Sequence, residues 1–258
     1  METIIFVHKT NPYYLYAALR QAKNSNPDNR IILLGDKTNN KYDFVEHYNI
    51  ENYMDSARRF EKVYQHHSPN SFNFELFCFQ RWFVIRDFIE RELGTNMDFL
   101  YCDTDFLLFD NISKDFTTWS QYDMTICRTG TPCCTYFNIG IIEKFTDFIY
   151  KRYSTKDGLE MISSYVNELK MKKRRYGISD MTAFSAYQNT YLQRVLRVDI
   201  PIDDTCYCHN INDPIDGYEM QGKYMKIIHK NSCFYGVQKK TNTVQRYSFS
   251  RTGQKAHV

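Results

Sequence analysis

Two short, unbroken apolar runs, Ile4-Ile5-Phe6-Val7 and Ile31-Ile32-Leu33-Leu34, flank a stretch of helical character from residue 13 to about 24. That arrangement limits the possible folds more than any other feature of the chain. Apolar runs without alternation are strands buried on both faces, and two such strands joined by a helix lie parallel. The expectation is an α/β protein whose sheet is mixed, mainly parallel and flanked by helices. The first run leads into His8-Lys9-Thr10-Asn11-Pro12 and the second into Gly35-Asp36, so polar groups gather where these strands end.

The rest of the chain extends the same pattern. Leu76, Phe79, Phe83, Phe88 and Ile89 recur at helical spacing and predict a helix over residues 74–93 with Gly94 as its stop. Residues 99–109 read as a buried strand. Residues 122–127 and 136–142 read as two further strands, separated by the turn-prone Thr129-Gly130-Thr131-Pro132. Residues 145–173 are helical in pattern, and Ser179 or Asp180 is placed to cap a helix over 181–191. A last strand is expected at 224–229. Residues 41–67 are polar, with room for a small element near 60–64. A single domain over residues 1–240 is expected, followed by a basic, poorly ordered tail at 241–258.

Within the apolar run at 99–109, Asp103 and Asp105 stand two residues apart. An ionised carboxylate taken out of water needs a compensating cation or hydrogen-bond donors. Two neighbouring carboxylates suit a hard cation, Mn²⁺ or Mg²⁺, which keeps its other positions for water and a substrate's phosphates. The bland alternative is a strand end entering a turn, with the carboxylates capping backbone amides.

Composition narrows the partners. The 33 basic and 30 acidic residues leave a net charge of +3, with none of the one-sided field of a nucleic-acid binder, so no nucleic acid is expected. A local basic run, Lys170-Met171-Lys172-Lys173-Arg174-Arg175, allows weak peripheral contact with a membrane surface. No apolar stretch is long enough to span a bilayer. Eight cysteines occur without a secretory-signal pattern, and they are expected to be mostly reduced thiols in a cytoplasmic protein. Cys206, Cys208 and His209 lack the second ligand pair of a zinc finger.

Four polar clusters fall at the ends of expected strands: His8 to Asn11, Asp36, Asp103 to Asp105, and His229-Lys230. In open α/β sheets, ligands bind beyond the carboxyl ends of the strands. Converging there, these groups would offer polar contacts for a base and ribose, a metal for a pyrophosphate, and nearby cations.

The motifs in this order resemble the nucleotide-sugar glycosyltransferases of the GT-A fold, with a distant similarity to glycosyltransferase family 8. The resemblance runs roughly from residue 4 to 239. It rests on Asp103-Thr104-Asp105 after a helix carrying Arg81 and Arg86, on Phe137-Asn138-Ile139-Gly140, on Ser179-Asp180-Met181, and on His229 followed by Gly236 and Lys239. It implies a metal held by Asp103, Asp105 and His229. It also implies a donor nucleotide contacted by His8, Thr10, Asn11, Asp36, Arg81, Arg86, Asp103, Thr104, Gly236 and Lys239. Asn138 would line the sugar and acceptor site, and Asp180 would orient or deprotonate the acceptor. Two features depart from family 8: a longer gap between His229 and Gly236, and Ser-Asp-Met in place of an acidic-Gln pair.

The activity implied is metal-dependent transfer of a sugar from a nucleoside-diphosphate sugar, UDP being the expected nucleotide, to a glycan or other hydroxyl. The late His and Lys lean toward retention of configuration, whereas Asp180 as base would suit inversion. The competing class is a non-catalytic nucleotide-sugar or carbohydrate-binding protein of the same fold. A nucleotidyltransferase is disfavoured because no Gly-rich loop follows Val7. A phosphohydrolase would release phosphate without sugar transfer.

Overall fold

The computed structural model describes residues 1–127, 130–172, 177–200, 202, 205–207, 219–222, 224–230, 233–237, 244–247 and 249–250. The chain begins with β1 (Thr3–His8), α1 (Tyr13–Ser25), β2 (Arg30–Gly35) and β3 (Glu46–Asn49), then continues through α2 (Asp55–Glu61), α3 (Phe72–Phe88) and β4 (Phe99–Cys102). Next come β5 (Phe106–Leu107), α4 (Ser113–Trp119), β6 (Met124–Ile126), β7 (Cys134–Phe137), α5 (Ile141–Ser154), α6 (Lys156–Met171), α7 (Asp180–Tyr191) and β8 (Val195–Arg197). The central sheet has seven strands in the order β3-β2-β1-β4-β7-β6-β8. All its pairings are parallel except the two made by β7. This is the mixed, mainly parallel α/β sheet expected.

Alternation along each strand divides the core into two layers. Ile5, Val7, Ile32, Leu34, Phe99 and Tyr101 face one side, where they join residues of α2, α3, α5, α6 and α7. Ile4, Phe6, Ile31, Leu33, Leu100 and Cys102 face the other, where α1 and α4 lie. The period of two in a strand with both faces covered explains why these runs are apolar throughout. Trp82 on α3 is fully buried, with Tyr101, Phe184, Phe137 and Phe145 around it at ring-centroid distances of 4.6 to 6.1 Å. Burying a side chain of this size contributes about 1.5–3 kcal/mol or more.

Several boundaries differ from expectation for identifiable reasons. The strand expected over 99–109 is interrupted, because the Phe106 amide donates to the Asp103 carbonyl at 3.0 Å and closes a turn over the two aspartates. The helical stretch 145–173 is two helices, parted at Thr155, whose extended backbone (φ −106°, ψ 153°) and side chain cap α6 at Gly158. The strand expected over 136–142 is β7, ending at Phe137; Gly140, with φ 73°, turns the chain into α5. A capping box at Ser179, with Thr182 as its partner, starts α7 as expected.

Beyond β8 the described strands include β9 (Thr205–Cys206), β10 (Met220–Gln221), β11 (Tyr224–Met225), β12 (Ile227–Lys230), β13 (Cys233–Val237), β14 (Val244–Tyr247) and β15 (Phe249–Ser250). Four of them form a sheet in the order β12-β13-β14-β9. β15 pairs antiparallel with β5, just past Asp105. Two strands, β14 and β15, therefore fall inside the stretch expected to be a tail. Among the described residues no helix is long and apolar enough to cross a membrane. Among the described residues Cys78, Cys102, Cys127, Cys134 and Cys206 are free, while Cys133 is disulfide-bonded.

Candidate active site

Because β1, β2 and β4 run parallel, their carboxyl ends finish along one edge of the sheet, and His8, Asp36 and Asp103 arrive there together. Thr104 and His8 meet across that edge, Oγ1 to Nδ1 at 2.8 Å. Burial lowers the His8 pKa against the opposing pull of Asp36 and Asp103, so the ring is neutral at pH 7. Thr10 holds a φ of 72°, a left-handed conformation that a β-branched residue adopts only under constraint. The constraint is explicit: Thr10 N–H donates to Asp36 Oδ2 at 2.8 Å, and Asn39 Nδ2 donates to the Thr10 and His8 carbonyls at 2.7 and 2.9 Å. Burial pushes the Asp36 carboxyl up, but bonds from Thr38 and from the amides of Thr10, Thr38 and Asn39 outweigh it and hold the pKa below the ordinary value. Asn11 accepts from the Tyr42 hydroxyl. Asp36 and Asn11 thus fix the shape of this loop.

Arg81 is the hinge of the site. It projects from α3, and its Nη1 donates to Asp103 Oδ1 at 2.7 Å and to the Tyr101 hydroxyl at 2.7 Å; Nη2 donates to Asp180 Oδ2 at 2.5 Å. Tyr101 itself donates to Asp103 Oδ1 at 2.5 Å. Asp180 is 3% exposed, and its Oδ2 also accepts from Trp82 Nε1 at 3.1 Å while Oδ1 accepts from the Met181 amide at 2.9 Å. Both oxygens are thus engaged, Oδ2 by Arg81 and Trp82 and Oδ1 by the Met181 amide.

Asp105 is the contrasting carboxylate. It is partly buried, and among the described residues its side chain has no hydrogen-bond or ion-pair partner beyond its own backbone amide. Burial, with the charge of Asp103 behind it, pushes its pKa up to about 7. Asp103 Oδ2 is likewise outside the bonds made to Oδ1. An oxygen-rich pair of carboxylates short of positive charge is the donor set of a hard divalent cation. A second group, Glu75, Cys78 and Asp180, lies within 4.8 Å. It suits a cation less well: burial, with Asp180 behind it, raises the Cys78 thiol to about 12, and Asp180 is already paired with Arg81.

Two expected site residues are not brought here. Arg86 donates to Asp147 Oδ1 at 2.8 Å and to Thr146 at 3.3 Å on α5, because five positions along a helix turn it away from the face of Arg81. Asn138 lies at the opposite edge of the sheet. β7 runs antiparallel to β4, placing Phe137 beside Phe99 and Cys134 beside Cys102. Asn138 thus falls opposite Asp98, five residues and roughly 17 Å along the strand direction from Asp103. There it donates to the Ser120 and Tyr122 carbonyls at 3.2 and 2.8 Å. The same register brings Cys133 to the site, its carbonyl accepting from the Asp103 amide at 2.9 Å. His229 and Gly236 fall in paired strands, but the His229 side chain and Lys239 lie outside the described residues. Sequence reasoning missed Tyr101 and Trp82. Tyr101 was open to discovery, because it is two residues before Asp103 and so points to the same face.

No family model and no curated protein matches this sequence. The architecture, however, is that of the GT-A glycosyltransferases. The mouse xyloside xylosyltransferase 1 structure is similar to this chain with a TM-score of 0.51 and 11% identity, over 77% of this chain and 85% of that one. The galactosyltransferase LgtC, solved with donor and acceptor sugar analogues, matches over 76% of this chain and 73% of its own at 14% identity and a TM-score of 0.43.

Proposed function

We propose that the protein transfers a sugar from a nucleoside-diphosphate donor, UDP being the nucleotide favoured, to a hydroxyl of a glycan or other acceptor. The observation that carries this reading is Asp105, a partly buried carboxylate without a counterion, beside Asp103 and at the carboxyl ends of parallel strands. Asp103 and Asp105 would hold Mn²⁺ or Mg²⁺. When bound, that ion supplies positive charge where a diphosphate leaving group becomes negative.

The chain's own residues shape the rest. Asp36 and Asn39 hold the strained Thr10 loop, which presents the end of β1 to the nucleoside. Neutral His8 orients Thr104. Asp180 and Tyr101 hold Arg81 in one rotamer, and Arg81 fixes the direction of Asp103. Preorganisation of this kind avoids reorganisation at the moment of reaction.

The test is calorimetric titration of UDP with Mn²⁺ and with EDTA, on the native protein and on Asp105→Ala. Binding that requires both the metal and Asp105 supports the reading. A folded native protein that binds neither UDP nor GDP under either condition defeats it.

A further inference from the structure

A cleft of about 810 Å³ lies between α5, the start of α6 and the carboxyl end of α7. It is distinct from the site above: α7 starts at Asp180 and reaches this cleft at Tyr191, roughly 16 Å further along the helix. Its floor is aromatic. Tyr191, 63% exposed, leans on Tyr187 at 5.6 Å and on Phe148 at 5.6 Å. Tyr187 is 3% exposed, yet its hydroxyl has no hydrogen-bond partner among the described residues and the residue lines the cleft. The ring is buried but the hydroxyl is accessible from the cleft, and an accessible hydroxyl without a protein partner is a place where a ligand can supply one.

The rim is cationic. Asp147 is paired with Arg86 and Asp123 with Arg194. The cleft is also lined by Lys144, Lys151 and Arg152 and by Asp157, a carboxylate without an ion-pair partner among the described residues. At the amino end of α6 the Gly158 amide, which would otherwise face a phosphate, is already capped by Thr155 beside Asp157. A pyranose ring covers an exposed tyrosine with its C–H face while its hydroxyls reach Tyr187 and the polar rim. A carboxylate on the sugar would meet the surplus cations.

We propose that this cleft is a second carbohydrate site, which binds a carboxylate-bearing oligosaccharide by stacking on Tyr191 and by hydrogen bonding to Tyr187. The inference does not depend on the transfer reading. It is tested by titrating the full chain with a hyaluronan tetrasaccharide, which carries uronates, and with neutral maltotetraose. The native protein and Asp105→Ala bind the uronate probe alike and at least tenfold more tightly than the neutral one. Tyr191→Ala weakens that binding roughly tenfold, the scale of one lost stacking contact, and Lys144→Glu with Lys151→Glu removes the preference for the acidic probe. Tyr187→Phe, which deletes one oxygen, decides the matter should Tyr191→Ala fail to fold, and it too weakens binding. No binding to the native protein, equal binding of both probes, indifference to the tyrosine substitutions, or loss in Asp105→Ala overturns the proposal.

Discussion

The two edges of the central sheet handle charge in opposite ways. Where β1, β2 and β4 end, Arg81, Asp103, Asp105 and Asp180 are drawn into the protein, and one carboxylate among them goes uncompensated. At the other edge, Asp123 pairs with a mostly exposed Arg194 and Asn138 caps backbone carbonyls. The first edge carries stored electrostatic cost, and the second carries ordinary structural bonds. Parallel strands explain the asymmetry, since they all finish at one edge and bring sequence-distant polar residues together there.

The comparison is broken most severely at Arg81. Replacing it with Met leaves Asp103 and Asp180 facing each other without the cation that bridges them. Removing one partner of a buried ion pair costs about 3–5 kcal/mol, and that loss is expected in urea unfolding of Arg81→Met. Lys does not restore it, because one ammonium cannot reproduce two forks aimed at separate carboxylates. An unchanged unfolding midpoint would mean that the guanidinium is not buried between them.

Asp105 breaks the comparison in the opposite sense. Its unfolded carboxyl releases a proton near 3.8, whereas in the folded protein the proton is held to about 7. Between those values the unfolded state binds fewer protons, so in EDTA the stability of the native protein falls as pH rises through that window. Asp105→Asn removes this decline and is more stable at pH 8 by on the order of 2–3 kcal/mol, allowing for partial solvent screening. Thermal unfolding from pH 4 to 8 measures it. Added Mn²⁺ stabilises the native protein and not the variant.

Much of the ordinary framework was legible before any coordinates. The strands at Ile4 and Ile31 and the helix between them followed from unbroken apolar runs, and the Ser179 cap from side-chain chemistry. What escaped was set by pairing rather than by local pattern. Phe137-Asn138-Ile139-Gly140 matched a motif, but only the antiparallel register of β7 decides which edge of the sheet it occupies. Likewise, the partners of Asp180 lie ninety-eight and ninety-nine residues away along the chain. Asn138→Ala sharpens this point. It removes two hydrogen bonds to backbone carbonyls and costs about 1–2 kcal/mol, while UDP titrations give the same affinity as the native protein.

The smallest effect separates the two arginines of α3. Arg86 is five residues from Arg81 and serves the same helix, but its guanidinium meets Asp147, which is 51% exposed, instead of the buried carboxylates. An ion pair in that setting is worth between 0 and 1 kcal/mol. Arg86→Ala is therefore expected to shift the urea midpoint only slightly and to leave metal-dependent UDP binding untouched, whereas Arg81→Met abolishes it. The contrast is steep because a helix turns about 100° per residue, so a five-residue step carries one arginine to the α5 surface and leaves the other inside the site. Weakened UDP binding in Arg86→Ala, at unchanged stability, would return that residue to the donor site and erase the distinction between them.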